Sequence, residues 1–238
     1  MVSASIPKLN YLKERENLLN IKFDSEILNE VEKSPYLGLV LDNSLKWDSQ
    51  IQRISKNISY KLFLLRRLSR ILSSDVLNKI YISQIQPCLE YGISIWGFCS
   101  EYNKMIIERL QHRAARIILR NFDYINVRGC ELVRQLRWQS INQRRDYFIA
   151  TLMHKCIHNT GPIHLTNNVI MTAHTHDIPT RASAKGIVQI PEPKCELFKT
   201  SFRYQAAILW NKLPPELRGL PDINIFKALY KRLYFDVQ

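Results

Sequence analysis

Histidines in the second half of the chain have the spacing that comes closest to a metal site. His154 and His158 stand four residues apart, so a helix would place both rings on one face, with Cys156 between them. His174 and His176 follow in a polar stretch, and imidazole and thiolate are ligands that Zn²⁺ prefers. No two cysteines stand close together, however, and the intervals match none of the usual zinc spacings. The sequence therefore favours surface or capping histidines over a metal site.

Carboxylates that could support polymerase chemistry are the second group to consider. Two-metal nucleotide transfer needs two or three acidic side chains to hold the ions that clamp the attacking and leaving oxygens. The chain has 21 acidic residues but no Asp-Asp pair, and they are scattered along polar helical faces. It also has no Gly-x-Ser-x-Gly motif and no glycine-rich phosphate loop. We therefore expect no catalytic residue, no metal, no cofactor and no enzymatic activity in this chain.

Arginines and lysines have a spacing that suits phosphate binding. Four arginines of one predicted helix follow at intervals of 4, 3 and 4 residues, which places them on one face: Arg109, Arg113, Arg116 and Arg120. Guanidinium groups at helical spacing can contact successive phosphates. In a second segment, residues 46–70, Asp48 is the only acid beside the basic residues Lys46, Arg53, Lys56, Lys61, Arg66, Arg67 and Arg70. A solvated amphipathic helix would show the same pattern, so both interpretations stay open.

The composition agrees with a polyanionic partner. The chain has 238 residues, 34 of them basic and 21 acidic, and a net charge of +13. This excess favours nucleic acid first and an anionic membrane second, with an unpartnered basic surface as the alternative. Five cysteines, an odd number without a Cys-x-x-Cys pair, indicate buried free thiols in a reducing compartment. There is no apolar signal segment and no apolar run of about 20 residues, so we expect a soluble, intracellular protein without a membrane partner.

Short apolar segments near the start of the chain predict a small β element. Residues 20–23 and 27–31 flank an Asp-Ser-Glu sequence that can form a tight turn. Residues 36–41 are apolar throughout, as in a strand that is covered on both faces. We therefore expect a hairpin or a three-stranded meander within residues 1–45.

From Ser49 onwards, apolar residues recur at steps of three or four, which predicts helices. The first predicted helix begins at Ser49, the second begins at Ser73 and is interrupted at Pro87, and the third spans 102–119. A fourth helix begins after a capping box of Ser140 and Gln143. A proline-rich linker or wrapped arm follows at 161–198, and the last two predicted helices span 200–213 and 223–235. The fold class that follows is mainly α, a helical bundle with a small N-terminal β-hairpin or meander. Its predicted parts are residues 1–45, 46–160 and 161–238.

Four tryptophan-centred blocks occur in a fixed order along the chain. They are YLGLVLDNSLKWDSQI, IQPCLEYGISIWG followed by IERLQHRAARII, LRWQSINQRRDYF, and TRASAKG with KTSFRYQAAILWNKLPPELR and FKALYKRL. Together, from about residue 20 to the C-terminus, they resemble the C-terminal portion of the reverse transcriptases of non-LTR (LINE-like, jockey-like) retrotransposons.

The resemblance implies roles for several residues. Tyr36, Leu37 and Gly38 match a Tyr-Leu-Gly strand that lies beside the primer end in that family, and Lys46 and Trp47 match the start of its helical thumb. The four arginines of the predicted helix fall in the helical region that follows. The zinc knuckles at the end of some relatives have no counterpart here. The fingers, most of the palm with its catalytic aspartates, and any endonuclease are missing from this chain.

The functional hypothesis is a truncated reverse transcriptase-like protein that binds RNA or an RNA–DNA duplex through phosphates and does not polymerise. The alternative is a helical protein-interaction module, or a remnant with no selected activity. The predicted nucleic-acid contacts are Tyr36, Leu37, Gly38, Lys46, Trp47, Arg53, Lys56, Arg66, Arg67, Arg109, Arg113, Arg116 and Arg120.

Overall fold

Two antiparallel hairpins come first in the structure, a computed structural model that describes residues 22–23, 26–27, 31–172, 186–193 and 195–236. The strands β1 and β2 form the first hairpin and β3 and β4 the second, with the bounds Lys22–Phe23, Glu26–Ile27, Lys33–Tyr36 and Leu39–Asp42. Helices make up most of the other described residues. The predicted fold class, mainly α with a small N-terminal β element, is therefore confirmed.

The single strand predicted at residues 36–41 is wrong, because the chain reverses within it. Leu37 and Gly38 have φ values of 44° and 76° and form a two-residue turn, with Tyr36 paired to Leu39. Glycine adopts a positive φ without steric cost, and two successive positive φ values give a turn whose twist suits a hairpin. Tyr36 is 63% exposed and Leu37 75%, so the segment is not covered on both faces, although Leu39 is buried.

The first half of the helical body contains six helices and one π-helical turn. The helices α1 to α6 span Asp48–Leu68, Ser74–Ile80, Gln86–Glu90, Ile93–Trp96, Glu101–Leu119 and Gly129–Gln135, and the π-helical turn is Tyr81–Ile85. The predicted helices from Ser49, from Ser73 and at 102–119 are confirmed as α1, α2 and α5. Pro87 interrupts the second one, as predicted, and stands in the first turn of α3, where its missing N–H is not needed. The short α6 has no counterpart in the prediction.

The helix α7, Ile141–Ile157, begins at the predicted capping box. Ser140 Oγ accepts a hydrogen bond from the N–H of Gln143 at 3.2 Å, and Gln143 Oε1 accepts one from the N–H of Ser140 at 2.9 Å. The later helices α8 to α12 span Ile163–Thr166, Glu196–Lys199, Phe202–Lys212, Pro215–Arg218 and Ile223–Tyr234. The last two predicted helices are therefore confirmed as α10 and α12.

Two hydrophobic cores meet at α7. The first core is built by β4 and the helices α1 to α6, and Ile141 of α7 belongs to it. The second core is built by the remainder of α7 with α10, α11 and α12, around Trp210 and Phe226. Phe148 packs against both cores. The helix α7 is therefore a wall that the two cores share.

The described part of residues 161–198, predicted as a linker or wrapped arm, packs in part against the second core. Met171 and Val188 form an antiparallel bridge, and Val188 is buried. The side chain of Asn211 accepts from the N–H of Val188 at 2.9 Å and donates to its carbonyl oxygen at 2.8 Å. The division of the chain into three parts stays a prediction.

Two expectations about the environment of the chain can be compared with the structure. All five cysteines are free thiols, as predicted. Cys99 and Cys156 are buried, as predicted, and burial raises the pKa of the Cys99 thiol to about 11. The predicted burial is wrong for Cys130 and Cys195, which are exposed. Over the described stretches, no helix combines the length and the apolar character that a bilayer crossing needs.

Candidate nucleic-acid interface

The tip of the β3–β4 hairpin is fixed to the helical body by two side chains. Tyr91 Oη donates to the carbonyl oxygen of Leu37 at 2.6 Å, and Arg53 Nη2 donates to the carbonyl oxygen of Gly38. A two-stranded hairpin is marginally stable by itself, so these contacts hold its tip beside the first turns of α1. The tip consequently presents the exposed side chains of Tyr36 and Leu37 to solvent.

The carboxylate of Asp42 shapes the connection between the hairpin and α1. Its Oδ1 accepts from the N–H of Lys46 at 3.1 Å, and its Oδ2 accepts from the N–H of Trp47 at 3.0 Å. The side chain of Lys46 is exposed, whereas the ring of Trp47 packs against the first core. Of these two predicted contacts, Lys46 has a side chain that can reach a ligand, and Trp47 has a packing role.

The outer face of α1 lies opposite its apolar stripe and carries both basic and aromatic side chains. Arg53, Lys56 and Arg67 are exposed there, as the helical spacing predicts, together with Tyr60. Phe63, which is not among the predicted contacts, is also exposed on this face, and its ring centroid lies 5.9 Å from the guanidinium of Arg67. Its spacing from Tyr60 and Arg67, three and four residues, would have indicated this position.

Lys61 does not belong to the outer face, although it is part of the basic segment. Its Nζ donates to the carbonyl oxygen of Gln84 at 2.6 Å and lies 3.0 Å from the Sγ of Cys88. The lysine therefore links α1 to the π-helical turn and α3 instead of extending into solvent.

The basic face of α5 is exposed over its middle turns. Arg109 and Arg113 extend into solvent, and they make no hydrogen bond or ion pair with the residues that the structure describes. Arg120 follows the last turn with a φ of 53° and donates from Nη2 to the carbonyl oxygen of Leu72 at 2.9 Å. Because α1 and α5 pack together through their apolar stripes, their exposed basic side chains point away from the shared core.

Arg116 does not share the exposed face on which the sequence places it. It is 6% exposed, and its guanidinium donates to the carbonyl oxygens of Asp123 at 2.7 Å and Val127 at 2.6 Å. The cause is the segment after α5, which folds back over the last turns of the helix. Helical spacing assigns a residue to a face but does not predict what covers that face. Arg116 is therefore a structural residue rather than an accessible phosphate contact.

The segment that covers Arg116 was not singled out from the sequence. Residues 121–128, named here the 121–128 loop, expose Phe122, Tyr124 and Ile125 to solvent. The turn-forming residues Asn121 and Asp123 were a signal for an ordered loop, but they did not predict its position over α5.

The predicted contacts of the hairpin and α1 fall into two groups along α1. The hairpin tip, Lys46, Arg53 and Lys56 lie at its N-terminal end. At its C-terminal end the guanidinium of Arg66 lies 5.3 Å from the ring centroid of Phe122, which places the end of α1 beside the 121–128 loop. A helix of 21 residues is about 30 Å long, so both groups could contact one extended ligand.

Within the described part of the chain, the predicted basic contacts form no ion pair with an acidic side chain. The ion pairs between described residues are Lys104–Glu101, Arg144–Glu90, Arg145–Asp146 and Lys199–Glu196. None of the predicted contacts takes part in these pairs. The positive charge of the exposed lysines and arginines among them is therefore available to a polyanion.

His154 of α7 is buried, so its predicted place at the surface or in a cap is wrong, whereas His158 is half-buried and is the C-terminal cap residue of α7. His154 Nε2 lies 2.7 Å from the carbonyl oxygen of Leu220, and its ring centroid lies 4.3 Å from that of His158. Burial lowers the pKa of His154. Within the described ranges, no group of three or more His, Cys, Asp or Glu side chains could hold a metal ion. His174 and His176 lie outside those ranges.

A comparison with known proteins adds a distant relative. The chain is similar to a protein of Drosophila melanogaster described as "Probable RNA-directed DNA polymerase from transposon BS". The two are 29% identical over 127 residues, which are 52% of this chain and 14% of the relative. The similarity supports a reverse transcriptase-like relationship. No family model matches the chain, and no solved structure matches it.

The geometry defines what the candidate interface can do chemically. It offers guanidinium and ammonium groups for phosphates and exposed rings for base faces, and its described residues contain no metal-binding cluster. These side chains can therefore contact phosphates and base faces of a nucleic acid.

Proposed function

We infer that the chain is part of a reverse transcriptase-like protein of a non-LTR retrotransposon, and that it binds RNA or an RNA–DNA duplex without polymerising. The observation that carries this proposal is the outer face of α1, where Arg53, Lys56 and Arg67 are exposed without an acidic partner among the described residues. The similarity to a transposon polymerase supports the choice of nucleic acid as the polyanion.

The resemblance of the Tyr-Leu-Gly segment gives the hairpin tip a role in this proposal. Tyr36 and Leu37 would lie beside the end of the primer strand, and the outer face of α1 would follow the phosphates beyond it. Arg53 connects the two regions, since it belongs to α1 and bonds to the carbonyl oxygen of Gly38. Arg109 and Arg113 on α5 would contact a second stretch of backbone.

Binding is tested by fluorescence anisotropy of the full chain with a labelled RNA strand, an RNA–DNA hybrid and a DNA duplex over a range of salt concentrations. The logarithm of the affinity should fall linearly with the logarithm of the salt concentration, by about 0.7 to 0.9 per phosphate contact. An affinity that does not change with salt would contradict the proposal. Primer extension by the chain with Mg²⁺ or Mn²⁺ would contradict the absence of polymerisation.

A helical protein-interaction module remains the second candidate function, because the outer face of α1 also exposes Phe63 and Leu64. Charge reversal of Arg109 and Arg113 to glutamate separates the two functions, because the side chains of these two residues make no hydrogen bond or ion pair with the described residues. Weaker nucleic-acid binding by a folded variant supports the first function. Unchanged binding, together with capture of a protein partner through α1, supports the second.

A further inference from the structure

The 121–128 loop presents large apolar side chains to solvent, and these side chains belong to neither hydrophobic core. Tyr124 is 68% exposed and Ile125 94% exposed, and Phe122 stands beside them. Exposed apolar groups that cluster in one loop, with polar groups around them, are typical of contact surfaces.

The loop is ordered by its own side chains. Asp123 Oδ1 accepts from the backbone N–H of Ile125 at 3.0 Å and of Asn126 at 2.9 Å, and Oδ2 accepts from Asn126 Nδ2 at 2.9 Å. The N–H of Asp123 donates to Asn121 Oδ1 at 3.0 Å. The hydrogen bonds from Asn126 lower the pKa of the Asp123 carboxyl, so the carboxylate that organises the loop is ionised at neutral pH.

Arg116 supports the loop from below. Its guanidinium bonds to two carbonyl oxygens, those of Asp123 and Val127, and lies 4.3 Å from the ring centroid of Tyr124. One face of the Tyr124 ring is thus held on a buried cation, while the exposed side of the ring faces solvent. Because the ring is positioned before any ligand arrives, little conformational freedom remains to be lost on binding.

Arginines surround these apolar side chains. The guanidinium of Arg66 lies over Phe122 at 5.3 Å, and Arg120, the residue before the loop, donates to the carbonyl oxygen of Leu72 in the connection between α1 and α2. Arg70, four residues after Arg66, and Arg128, the last residue of the loop, are also exposed. The acids of this region are already engaged: Asp123 binds the loop amides, and Glu131 Oε2 accepts from the N–H of Arg128 at 3.3 Å. The excess positive charge around open rings complements a ligand that has both phosphates and flat apolar faces.

We propose that the 121–128 loop is a stacking platform for unpaired nucleotide bases, in which Tyr124 and Ile125 contact the base faces and Arg66, Arg70, Arg120 and Arg128 bind the flanking phosphates. The proposal rests on the proposed function and deepens it, because it adds a preference for single-stranded segments over uniform duplex. Bases in a duplex are already stacked and do not offer their faces to a side chain, whereas every unpaired base does.

The experiment measures anisotropy of the full chain with a labelled single-stranded RNA of about 12 nucleotides and with a blunt duplex of the same sequence. The variants are Tyr124→Ala, Ile125→Ser and the matched control Tyr124→Phe, which keeps the ring. Tyr124→Ala should weaken single-strand binding about fivefold or more and leave duplex binding unchanged, because stacking contributes roughly this much per base. Tyr124→Phe should bind like the parent chain. The Ile125 side chain makes almost no internal contact, so its replacement in Ile125→Ser should not disturb the fold. Weaker single-strand binding by Ile125→Ser would therefore not be explained by misfolding.

The outcomes separate this inference from the function on which it rests. In one outcome, single-strand binding is unchanged in Tyr124→Ala but is weakened by Arg53→Glu with Lys56→Glu. This outcome overturns the stacking platform and retains the proposed function. A parent chain that binds no nucleic acid overturns both. Binding of the parent chain to phosphatidylserine-containing vesicles, lost in Tyr124→Ala while RNA binding persists, overturns the platform in favour of a membrane contact.

Discussion

Tyr91 donates a hydrogen bond of 2.6 Å to the carbonyl oxygen of Leu37, 54 residues earlier in the chain. The same ring packs against Gly38, where an added Cβ would lie 3.2 Å from the ring atoms. Tyr91 stands between α3 and α4, so it joins the hairpin tip to helices that belong to the first core. An element that is marginal alone thereby acquires a defined position next to the candidate interface.

Tyr91→Phe tests this attachment. The variant removes one hydrogen bond and keeps the ring, so the hairpin should detach more often, at a cost of about 1 kcal/mol. Backbone amides in β3 and β4 should exchange with solvent faster, whereas amides of α5 should not change. Tyr36→Phe is the matched control, because the exposed Tyr36 hydroxyl has no such bond to the helical body. Equal exchange in both variants would show that the Tyr91 hydroxyl does not hold the hairpin.

Gly38→Ala tests the turn itself. Gly38 has a φ of 76°, a conformation that costs a residue with a Cβ about 1–2 kcal/mol, and the added carbon would also press on Tyr91. Proteolytic cleavage in the hairpin under native conditions should therefore become faster. Gly219→Ala is the control, since Gly219 has a φ of −81° and an added Cβ would meet only an ordinary contact at 3.5 Å. Comparable cleavage of the two variants would contradict the assigned turn.

Arg116→Ala separates a structural arginine from an accessible one. Loss of a buried cation that holds two carbonyl oxygens should lower the free energy of unfolding by about 1.5–3 kcal/mol, because hydrogen bonds from charged groups are strong. Arg113→Ala, on the same helical face but exposed, should leave stability nearly unchanged and weaken nucleic-acid binding. Urea denaturation and anisotropy together check this. Unaltered stability in Arg116→Ala would contradict its role beneath the 121–128 loop.

The outer face of α1 should set the salt dependence of binding. Arg53→Glu with Lys56→Glu removes two positive groups from this face, so the slope of log affinity against log salt should become shallower by about 0.7 per lost contact on a single strand. Lys212→Glu with Arg232→Glu makes the same charge change on α10 and α12 and should affect the slope less. If both pairs behaved alike, net charge rather than a defined face would explain the binding.

His154 should make stability depend on pH. Burial lowers its pKa, with a further decrease from His158 and an opposing effect of Asp222, so the folded state resists protonation. The unfolded chain binds a proton near pH 6.5, the ordinary histidine value. The contribution of neutral, buried His154 to the free energy of unfolding is therefore fully present above that pH and is lost as the pH falls below it.

His154→Gln, which retains an N–H donor for the carbonyl oxygen of Leu220, provides the test. Urea denaturation at about pH 7.5 and about pH 5.5 should show a smaller loss of stability in the variant than in the parent chain. Some loss should persist, because burial also lowers the pKa of His112. An identical loss in variant and parent would exclude His154 as its source.

Sequence periodicity predicted the elements whose order is determined locally. The long stripes of α1 and α5 and the capping box of Ser140 depend on neighbours three or four residues away, which the sequence displays directly. Pro87 likewise interrupts its helix for a reason contained in its own ring.

The errors concern contacts between distant parts of the chain. Leu37 and Gly38 lie in an apolar run that is compatible with one strand or with a hairpin. Tyr91 and Arg53, from other parts of the chain, fix the hairpin by hydrogen bonds. Arg116 has the spacing of an exposed residue, but the 121–128 loop covers it. Neither outcome follows from residues within a few positions of the site.

The position of α7 in both cores has a consequence for the solubility of a shortened chain. Ile141 completes the first core, whereas Ile149, Ala150 and Met153 on the same helix are buried against the C-terminal helices. Loss of the segment after residue 160 would leave a wide apolar surface on the remaining part, with the risk of aggregation. A chain shortened to end at residue 160 should therefore lose solubility even though the basic side chains of α1 and α5 would all be present.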